Sequence, residues 1–228
     1  MHTGRMVLNA YDASAVEEAI VLKEKYGGVV DLVLIGPASA AETIRKAMAM
    51  GADDAAHIVV ENADSMDSFA VASVLARFFA DRSYDVIACG KQSQDTDAGL
   101  TGPMLAQLLG LPYGSNAVGL GIEGERLIVT RQGDAGQEIL AINPPLLVTC
   151  SNDMNDPRIP NLRGIMAAKK KPIETIAIDD LNVDTSPMTE TSEVSDPPAR
   201  EPGALIEGEA AEVAVSLVAR LREEAKVI

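Results

Sequence analysis

The feature that most constrains this chain is the stretch of residues 87–104, in which a strand, a polar loop and a helix follow one another. Residues 84–89 are mostly apolar, which predicts a buried parallel strand that ends at a glycine. Thr101 and Pro103 suit the first turn of an apolar helix, Thr101 as its N-cap, and Gly110 suits its end. A strand, a glycine-bearing loop and a helix N-terminus together make an arrangement that can bind phosphate.

The loop between this strand and helix can be interpreted in two ways. In an open parallel sheet it borders the crevice beyond the carboxyl ends of the strands, where ligands bind. Its spacing matches neither a P-loop nor G-x-G-x-x-G, so an ordinary strand-to-helix turn with polar residues is the alternative. Asp95 and Asp97 would repel phosphate, and we expect them to brace the loop through bonds to backbone N–H groups. A magnesium ion held by these carboxylates is the second possibility.

Composition excludes several classes of function. The 228 residues suffice for one α/β domain plus an appendage, and 47% hydrophobic content is ample for a core. The formal charge of −15 argues against a nucleic acid or an anionic membrane as partner. The sequence has no apolar run of membrane-spanning length and no visible signal peptide.

Residues with catalytic or metal-binding chemistry are sparse. Cys89 and Cys150 both end apolar strands, which predicts small core residues in a reducing compartment rather than a disulfide or metal site. His2 and His57 are isolated. The absence of a Ser/His/Asp set, a Cys/His pair or a metal-spaced cluster favours a carrier or binding protein over a hydrolase, and we propose no catalytic residue.

Residues 12–110 alternate helix and strand, a pattern that predicts a parallel sheet covered on both faces with right-handed crossovers. Ser39 and Glu42 have the spacing of a capping box for the second helix. The predicted helices are residues 13–26, 39–50, 65–81 and 101–109, and the predicted strands are residues 5–8, 29–35, 57–60 and 84–89.

The pattern changes after residue 111. Predicted strands at residues 126–131 and 138–142 flank a glycine-containing hairpin turn. The other predicted strands of this half are residues 117–122, 146–150 and 173–178. We therefore predict an α/β fold with a mostly parallel sheet, helices on both faces, a β-hairpin and an extended C-terminal arm.

Residues 159–172 form a lysine-rich segment on an otherwise acidic chain. Leu162, Ile165 and Met166 beside Lys169, Lys170 and Lys171 predict a docking surface, and a solvated short helix is the alternative.

The C-terminal part of the sequence differs in composition from the rest. Residues 183–206 are rich in Ser, Thr, Pro and Glu and predict a linker. Residues 210–227 predict an amphipathic helix that either wraps a partner subunit or docks on its own domain. The predicted division is an α/β nucleotide-binding domain at residues 1–182, and a linker with a helical arm at residues 183–228.

The order and spacing of several motifs resemble the β subunits of electron transfer flavoproteins over nearly the whole chain. The motifs are Ala15-Val16-Glu17-Glu18-Ala19, Glu42-Thr43-Ile44-Arg45, Ala49-Met50-Gly51-Ala52-Asp53, Gly90-Lys91-Gln92 with Asp95, Asp97, Thr101 and Gly102, Asn155-Asp156-Pro157-Arg158, Ile165-Met166 with Lys169-Lys170-Lys171, and Asp196-Pro197-Pro198 with Arg200.

This resemblance implies a Rossmann-like, adenine-nucleotide-binding fold and an adenine nucleotide within this subunit. The nucleotide is usually AMP with a structural role, and in electron-bifurcating members a second FAD takes the same place. The residues implied to contact it are Asn9, Ala10, Tyr11, Asp12, Ile35, Gly90, Lys91, Gln92, Ser93, Gln94, Asp95, Thr96, Asp97, Ala98, Gly99, Leu100 and Thr101.

The resemblance also implies partners. An α subunit carries most contacts to a redox-active FAD, and the C-terminal arm embraces that subunit. The pair passes electrons from flavin dehydrogenases, such as acyl-CoA dehydrogenases, to a quinone-linked acceptor. Leu162 anchors into the dehydrogenase, and the implied partner-binding residues are Leu162, Arg163, Ile165, Met166, Lys169, Lys170 and Lys171. The expected location is the cytoplasm, or the mitochondrial matrix for a eukaryotic source.

Two departures from the family pattern bear on these implications. The family begins with an extra strand and hairpin segment that this sequence lacks. Either the first residue here is internal to a longer reading frame, or something else fills the gap. The loop has Thr96, Ala98, Leu100 and Thr101 where bifurcating members favour other residues, which favours AMP, whereas Pro103 is common among bifurcating members.

Rival functions follow from the same fold. A stand-alone nucleotide-sensing protein of the stress-protein type would be a stable monomer or homodimer. A nucleotidyl-transfer or hydrolase enzyme would turn over ATP in a manner dependent on Asp95 and Asp97.

Overall fold

The computed structural model describes residues 6–200 and 202–228. The chain divides into two compact units, Met1–Glu190 and Thr191–Ile228. The helices of the first unit are α1 (Ala10–Tyr26), α2 (Ala41–Met50), α3 (Ser68–Phe79), α4 (Thr101–Leu109) and α5 (Leu162–Lys170). Its strands are β1 (Asp31–Gly36), β2 (Asp54–Val59), β3 (Val86–Gly90), β4 (Tyr113–Glu123), β5 (Arg126–Gly133), β6 (Gly136–Ile142), β7 (Leu146–Cys150) and β8 (Glu174–Ala177).

The strands form two sheets. The first has the order β1-β2-β8 and is parallel throughout. The second has the order β3-β7-β4-β5-β6, in which β3, β7 and β4 run parallel and β5 and β6 are antiparallel. The α/β class is therefore confirmed, but the single sheet that the sequence predicts is divided between β1 and β3.

Strand β7 shows why the second sheet holds together. All its residues are buried, and it pairs with β3 on one side and β4 on the other. An uninterrupted apolar run such as Leu146-Leu147-Val148 is what a strand covered on both faces requires. By contrast, β3 has a similar apolar run but every one of its residues is only half-buried.

The β5–β6 hairpin is confirmed. Gly133 pairs with Gly136, and the turn that joins them is Asp134-Ala135. Gly136 has φ of 130°, a conformation that favours glycine. The hairpin extends the second sheet away from its parallel strands.

Several predicted element starts differ from the structure. The capping box of Ser39 and Glu42 does not form, because a 3₁₀ turn at Ala38–Ala40 precedes α2 and no side chain caps that helix. Helix α3 begins at Ser68 rather than at residue 65, because Asp67 Oδ1 accepts a hydrogen bond of 2.9 Å from the Ala70 N–H. A carboxylate in that position fixes the N-cap.

The predicted strand at residues 5–8 is wrong for the part that the structure describes. Residues 6–9 have no regular secondary structure, and Arg5 lies outside the described residues. These residues lead directly into α1, which begins at Ala10, three residues before the predicted start.

The second unit contains one helix among its described residues, α6 (Ala210–Glu223). No residue of α6 is buried, and residues 191–200 have no regular secondary structure. The sequence predicts this helix, although the observed helix ends four residues earlier than the predicted residue 227.

Candidate functional site

A cleft separates the two sheets. It has a volume of about 660 Å³ and is bordered by β1 on one side and β3 on the other, with residues of α1, α3 and α4 contributing to its walls. At one end the Tyr84 hydroxyl donates a hydrogen bond of 3.2 Å to Asp31 Oδ2, which joins the amino ends of the two bordering strands. The open end of the cleft, called its mouth below, therefore lies at the carboxyl ends of β1 and β3, beside Ile35 and Gly90. Ligands of parallel sheets bind at such a position.

The loop between β3 and α4 closes on itself at this mouth. The Ser93 N–H donates to the Ala98 carbonyl at 3.0 Å, and the Ala98 N–H donates to Ser93 Oγ at 3.2 Å. Ser93 Oγ also lies 2.7 Å from the Thr96 hydroxyl oxygen. The polar side chains of this loop thus give it a defined shape.

Asn9 and Asp12 tie the start of α1 to this loop. The Asn9 amide nitrogen donates to the Gln92 carbonyl and to Asp12 Oδ2, both at 2.8 Å, and Asn9 Oδ1 accepts from the Gln94 N–H at 3.1 Å. Asp12 Oδ1 accepts from the Gly90 N–H at 2.7 Å. Both residues line the cleft, but their polar atoms already brace the loop.

Two glycines allow the backbone segments of the site to approach closely. A Cβ at residue 90 would lie 2.7 Å from the Tyr11 Cβ and 2.8 Å from the Asp12 nitrogen. A Cβ at residue 102 would overlap the Thr149 side chain. Glycine at these positions lets α1 contact the end of β3 and lets α4 lie directly on the second sheet.

The beginning of α4 is not capped by a side chain. Thr101 is the first helical residue and Leu100 occupies the N-cap position, so the prediction that Thr101 caps the helix is wrong. Among the described residues, the N–H groups of Leu100, Thr101 and Gly102 have no hydrogen-bond partner. Free N–H groups at a helix N-terminus are suited to an anion. Gly110 ends the helix in the left-handed conformation, as the sequence predicts.

Charge around the cleft is mostly negative. Asp12, Asp31, Asp67 and Asp95 line it, and Lys91 is the one basic side chain among the described lining residues. The Ala70 N–H holds the pKa of Asp67 below its usual value, and hydrogen bonds from Met188 and Thr189 add to this effect. An anion at the mouth would therefore depend on Lys91 and on the N–H groups of α4.

Asp95 and Asp97 differ in their surroundings. Asp97 has φ of 54°, and its Oδ1 accepts a hydrogen bond of 2.8 Å from the Gln92 side chain. It braces the loop through a side chain rather than through the backbone N–H groups that we expected. Asp95 has no hydrogen-bond partner within the described part of the chain. The described residues contain no group of three or more His, Cys, Asp or Glu side chains that could hold a metal ion.

The structure brings most of the sequence-predicted nucleotide contacts together at the cleft. Those that line it are Asn9, Asp12, Ile35, Gly90, Lys91, Gln92, Ser93, Gln94, Asp95, Thr96, Ala98 and Thr101. The predicted contacts that do not line it are Ala10, Tyr11, Asp97, Gly99 and Leu100.

Sequence reasoning missed the contribution of α3 to the cleft. Val71, Leu75 and Phe79 of that helix line its inner part together with Leu105 of α4. The sequence shows their helical spacing, but this spacing does not determine which sheet or helix the apolar face of α3 packs against.

Both cysteines are free thiols. Cys89 lines the cleft and Cys150 is fully buried at the end of β7. Burial raises the pKa of Cys89 well above its usual range and that of Cys150 to about 12. The thiolate is the reactive form of cysteine, and the raised pKa values keep both thiols protonated near neutral pH. Neither thiol is therefore suited to act as a nucleophile.

The lysine-rich segment contains α5 and carries an exposed apolar patch. Leu162 is 76% exposed, Ile159 92% and Met166 50%. Asn161 Oδ1 caps the helix by accepting from the Gly164 N–H at 2.8 Å. The segment therefore contains a short helix on which Leu162 and Met166 are exposed and Ala168 is buried, and both interpretations, a docking surface and a solvated helix, include such a helix.

The predicted partner-binding residues are not equivalent. Arg163, Ile165, Lys169 and Lys170 are exposed with Leu162 and Met166. The Lys171 ammonium instead donates to the carbonyls of Ala52 at 2.9 Å and Asp53 at 2.7 Å. Lys171 therefore anchors the end of α5 to the segment after α2.

Arg158 fixes the loop before α5 onto α1. Its guanidinium donates to both carboxylate oxygens of Glu17 and to both of Glu24, at distances of 2.6–3.1 Å. Burial alone would raise the pKa of Glu17, but the hydrogen bonds from Arg158 outweigh it and hold that pKa below its usual value. The contact between α1 and this loop is thus strongest when Glu17 is charged.

No helix in the described ranges is both long and apolar enough to cross a membrane.

Known proteins resemble this chain over almost its full length. A family model described as the electron transfer flavoprotein domain matches residues 1–181. A protein of Bacillus subtilis (strain 168) named electron transfer flavoprotein subunit beta is 41% identical over 226 residues, which cover 97% of this chain and 88% of that protein. A protein with the same name from Sus scrofa is 40% identical, and the match covers 96% of this chain and 86% of that protein. Another from Thermoanaerobacterium thermosaccharolyticum is 34% identical, and the match covers 94% of this chain and 85% of that protein.

Proposed function

This chain belongs to the family of electron transfer flavoprotein beta subunits, and we propose that it carries electrons as one half of a heterodimer with an α subunit. The similarity to named beta subunits over nearly the whole chain supports this proposal most strongly. We propose that the pair takes electrons from flavin dehydrogenases, such as acyl-CoA dehydrogenases, and delivers them to a quinone-linked acceptor. An FAD shared with the α subunit supplies the redox chemistry, and the protein positions it.

We propose that AMP binds at the mouth of the cleft. The N–H groups of Thr101 and Gly102 and the Lys91 ammonium are the cleft-lining groups available for its phosphate. The apolar side chain of Ile35 at the mouth would contact the adenine. Asn9 and Asp12 would act indirectly, because their side chains hold the loop in shape.

The role of AMP in this proposal is structural. A ligand that binds only the folded chain raises the free energy of unfolding by about 2.7 kcal/mol at a concentration of 100 times its Kd. The loop before α4 would be stabilised most, because the free N–H groups at the start of that helix would then have hydrogen-bond partners.

An FAD in the same place is the alternative, and it would make the assembly electron-bifurcating. Two flavins per heterodimer would support that alternative, whereas one flavin supports the AMP proposal.

We propose that α6 embraces the α subunit. Val215 is 72% exposed, and Leu217 and Val218 are also exposed on this helix. An amphipathic helix with an exposed apolar face is stabilised when a partner covers that face. A stand-alone nucleotide-sensing protein would not need such a partner.

Co-expression with the α subunit of the same source tests the proposed function. We expect a yellow heterodimer whose flavin is reduced by an acyl-CoA dehydrogenase with its substrate and reoxidised by a quinone-linked oxidoreductase. A chain that purifies as a stable monomer or homodimer in the presence of the α subunit, without flavin, would contradict the proposal. ATP turnover that is lost when Asp95 and Asp97 are changed to Asn would instead support an enzyme.

A further inference from the structure

The exposed apolar patch at the start of α5 includes a short stretch without attachments of its own. Residues 155–161 have no regular secondary structure. No hydrogen bond joins Ile159 or Pro160 to the rest of the described chain. Ile159 and Leu162 are the most exposed apolar side chains of the lysine-rich segment. The orientation of these two side chains is therefore determined by the contacts on either side of them.

On the C-terminal side of the patch, α5 is fixed to α2. A Cβ at residue 164 would lie 2.5 Å from the Ala49 carbonyl oxygen, so Gly164 lets the two helices touch. Ala168 is buried against apolar side chains of α2, and the Arg45 guanidinium donates to the Ala168 carbonyl at 2.8 Å. This side of the patch can move only if the two helices separate.

On the N-terminal side, one residue fixes the loop next to the patch. Arg158 directly precedes Ile159, and its guanidinium binds Glu17 and Glu24, which lie two helical turns apart on one face of α1. The Arg158 backbone N–H also donates to Glu17 Oε2 at 3.0 Å. Asn155 donates to α1 as well, but it lies three residues earlier. We call the contacts of Arg158 with Glu17 and Glu24 the Arg158 clamp.

The Glu24 half of the Arg158 clamp is exposed to solvent. The Glu24 side chain is 58% exposed, and an ion pair in such a position adds little to the free energy of unfolding. A second carboxylate does restrict the orientation of a planar guanidinium and of the main chain that carries it. Side chains that are ordered before binding lose less conformational entropy when a partner covers them. This half of the clamp is therefore better suited to a role in binding than to one in stability.

The surroundings of the patch are basic on an acidic chain. Arg163, Lys169 and Lys170 are exposed on α5, whereas the whole chain has a formal charge of −15. A partner with an acidic rim around an apolar pocket complements such a surface. In the proposed function, that partner is the flavin dehydrogenase.

We propose that Arg158 is a positioning residue for docking, which holds Ile159 and Leu162 in the orientation that a flavin dehydrogenase binds. This inference rests on the proposed function. Arg158 acts through the main chain that it fixes to α1, and it does not line the cleft. Loosening the Arg158 clamp therefore weakens the binding of the dehydrogenase and leaves the flavin and the nucleotide site unchanged.

The variant Arg158→Lys in the full-length heterodimer tests this proposal. Lysine keeps the charge, but its ammonium cannot form paired hydrogen bonds with two carboxylates. The KM for an acyl-CoA dehydrogenase should rise about fivefold, the effect of leaving one or two side chains to be ordered on binding. The kcat and the rate of flavin reduction by dithionite should not change. Amide hydrogen exchange of residues 159–164 should become faster, whereas that of residues 167–170 should not.

Arg82→Lys is the matched control. The Arg82 side chain is 30% exposed, compared with 33% for Arg158, and it makes an ion pair of 2.8 Å with Glu174. These two residues lie outside α1 and the loop before α5, so the control should leave the KM unchanged. Glu24→Gln removes only the exposed half of the Arg158 clamp and should raise the KM in the same direction by less.

The other outcomes overturn the proposal. An unchanged KM in Arg158→Lys would show that the Arg158 clamp does not position the patch for docking. A lower kcat, or slower reduction by dithionite, would indicate a general structural effect, as would an equal rise in KM in Arg82→Lys. A parent heterodimer that the dehydrogenase does not reduce would contradict the proposed function itself. A parent that is reduced normally, with an equal KM in the variant, would overturn only this inference.

Discussion

Asn9 uses both polar atoms of its amide group to hold the loop that follows β3. Its partners, Gln92 and Gln94, lie more than eighty residues away in sequence. A residue in this position controls the shape of the site without being needed as a ligand contact. Gly90 has a comparable role, because only glycine lets Tyr11 and Asp12 approach the end of β3.

Replacing Asn9 with Ala should weaken nucleotide binding about tenfold, because three hydrogen bonds are lost, two to the loop and one to Asp12, and each is worth about 1 kcal/mol. Calorimetric titration of AMP measures the affinity, and hydrogen exchange of residues 91–98 reports the loop. Asn62→Ala is the control, since the Asn62 side chain makes no hydrogen bond with the described residues. Unchanged affinity in Asn9→Ala would show that the brace does not shape the site.

At the scale of elements, the contact between α1 and the loop before α5 depends on pH. The pKa of Glu17 lies below its ordinary value of 4.5 in the folded chain, because the hydrogen bonds from Arg158 outweigh the effect of burial. A lowered carboxyl pKa stabilises the fold fully above the unfolded pKa, and this stabilisation is lost as the pH falls through the folded pKa. Acidification below about pH 4.5 should therefore loosen this contact.

Replacing Glu17 with Gln should lower the free energy of unfolding at pH 7 by about 1.5–3 kcal/mol, the range for hydrogen bonds to a charged partner. Urea denaturation at pH 7 and below pH 4 measures it, and the variant should lose less stability on acidification than the parent. Glu24→Gln is the matched control, because Glu24 binds the same guanidinium from a solvent-exposed position and its loss should matter much less. Equal effects of the two substitutions would contradict this assignment.

The exposed patch on α5 makes a separate prediction. Replacing Leu162 with Ala should leave the stability of the heterodimer unchanged, since the side chain is 76% exposed, and slow electron transfer from an acyl-CoA dehydrogenase about tenfold or more. Stopped-flow reduction of the flavin measures the rate. Ile139→Ala removes an apolar side chain of similar exposure, 73%, from the hairpin and should not slow transfer. Equal rates in both variants would exclude Leu162 as a docking residue.

Local signals predicted individual elements well. The apolar run of β7, the glycine turn of the hairpin and Gly110 at the end of α4 each act within a few residues, and each prediction is confirmed. Helix starts were less predictable. Whether Ser39 or Thr101 caps a helix depends on the backbone conformation before it, which the residue type alone does not determine.

For the candidate site, the sequence predicted a binding loop after β3 but did not predict the groups that hold this loop in shape. The hydrogen bonds from Asn9 and Asp12 to that loop join residues far apart in sequence, so they cannot be predicted from periodicity or spacing. The cleft wall formed by Val71 and Phe79 depends on how α3 packs against the sheets. The division into two sheets depends on which strands pair with each other, and the strand sequences do not determine this pairing.

For the whole molecule, the proposed function requires an adenine nucleotide at the mouth of the cleft, in a subunit that works with an α subunit. The chain carries a formal charge of −15, and the described lining of the cleft contains one basic side chain. Binding of an anion there consequently depends on the free N–H groups at the start of α4 rather than on the overall electrostatic field.

Mass spectrometry of the ligands released when the purified heterodimer is denatured tests this requirement most directly. We expect about one AMP and one FAD per heterodimer, the ratio that results when each site binds one ligand. Two FAD molecules and no AMP would contradict the assignment of AMP, and a heterodimer that releases a single FAD and no second adenine nucleotide would contradict the site itself.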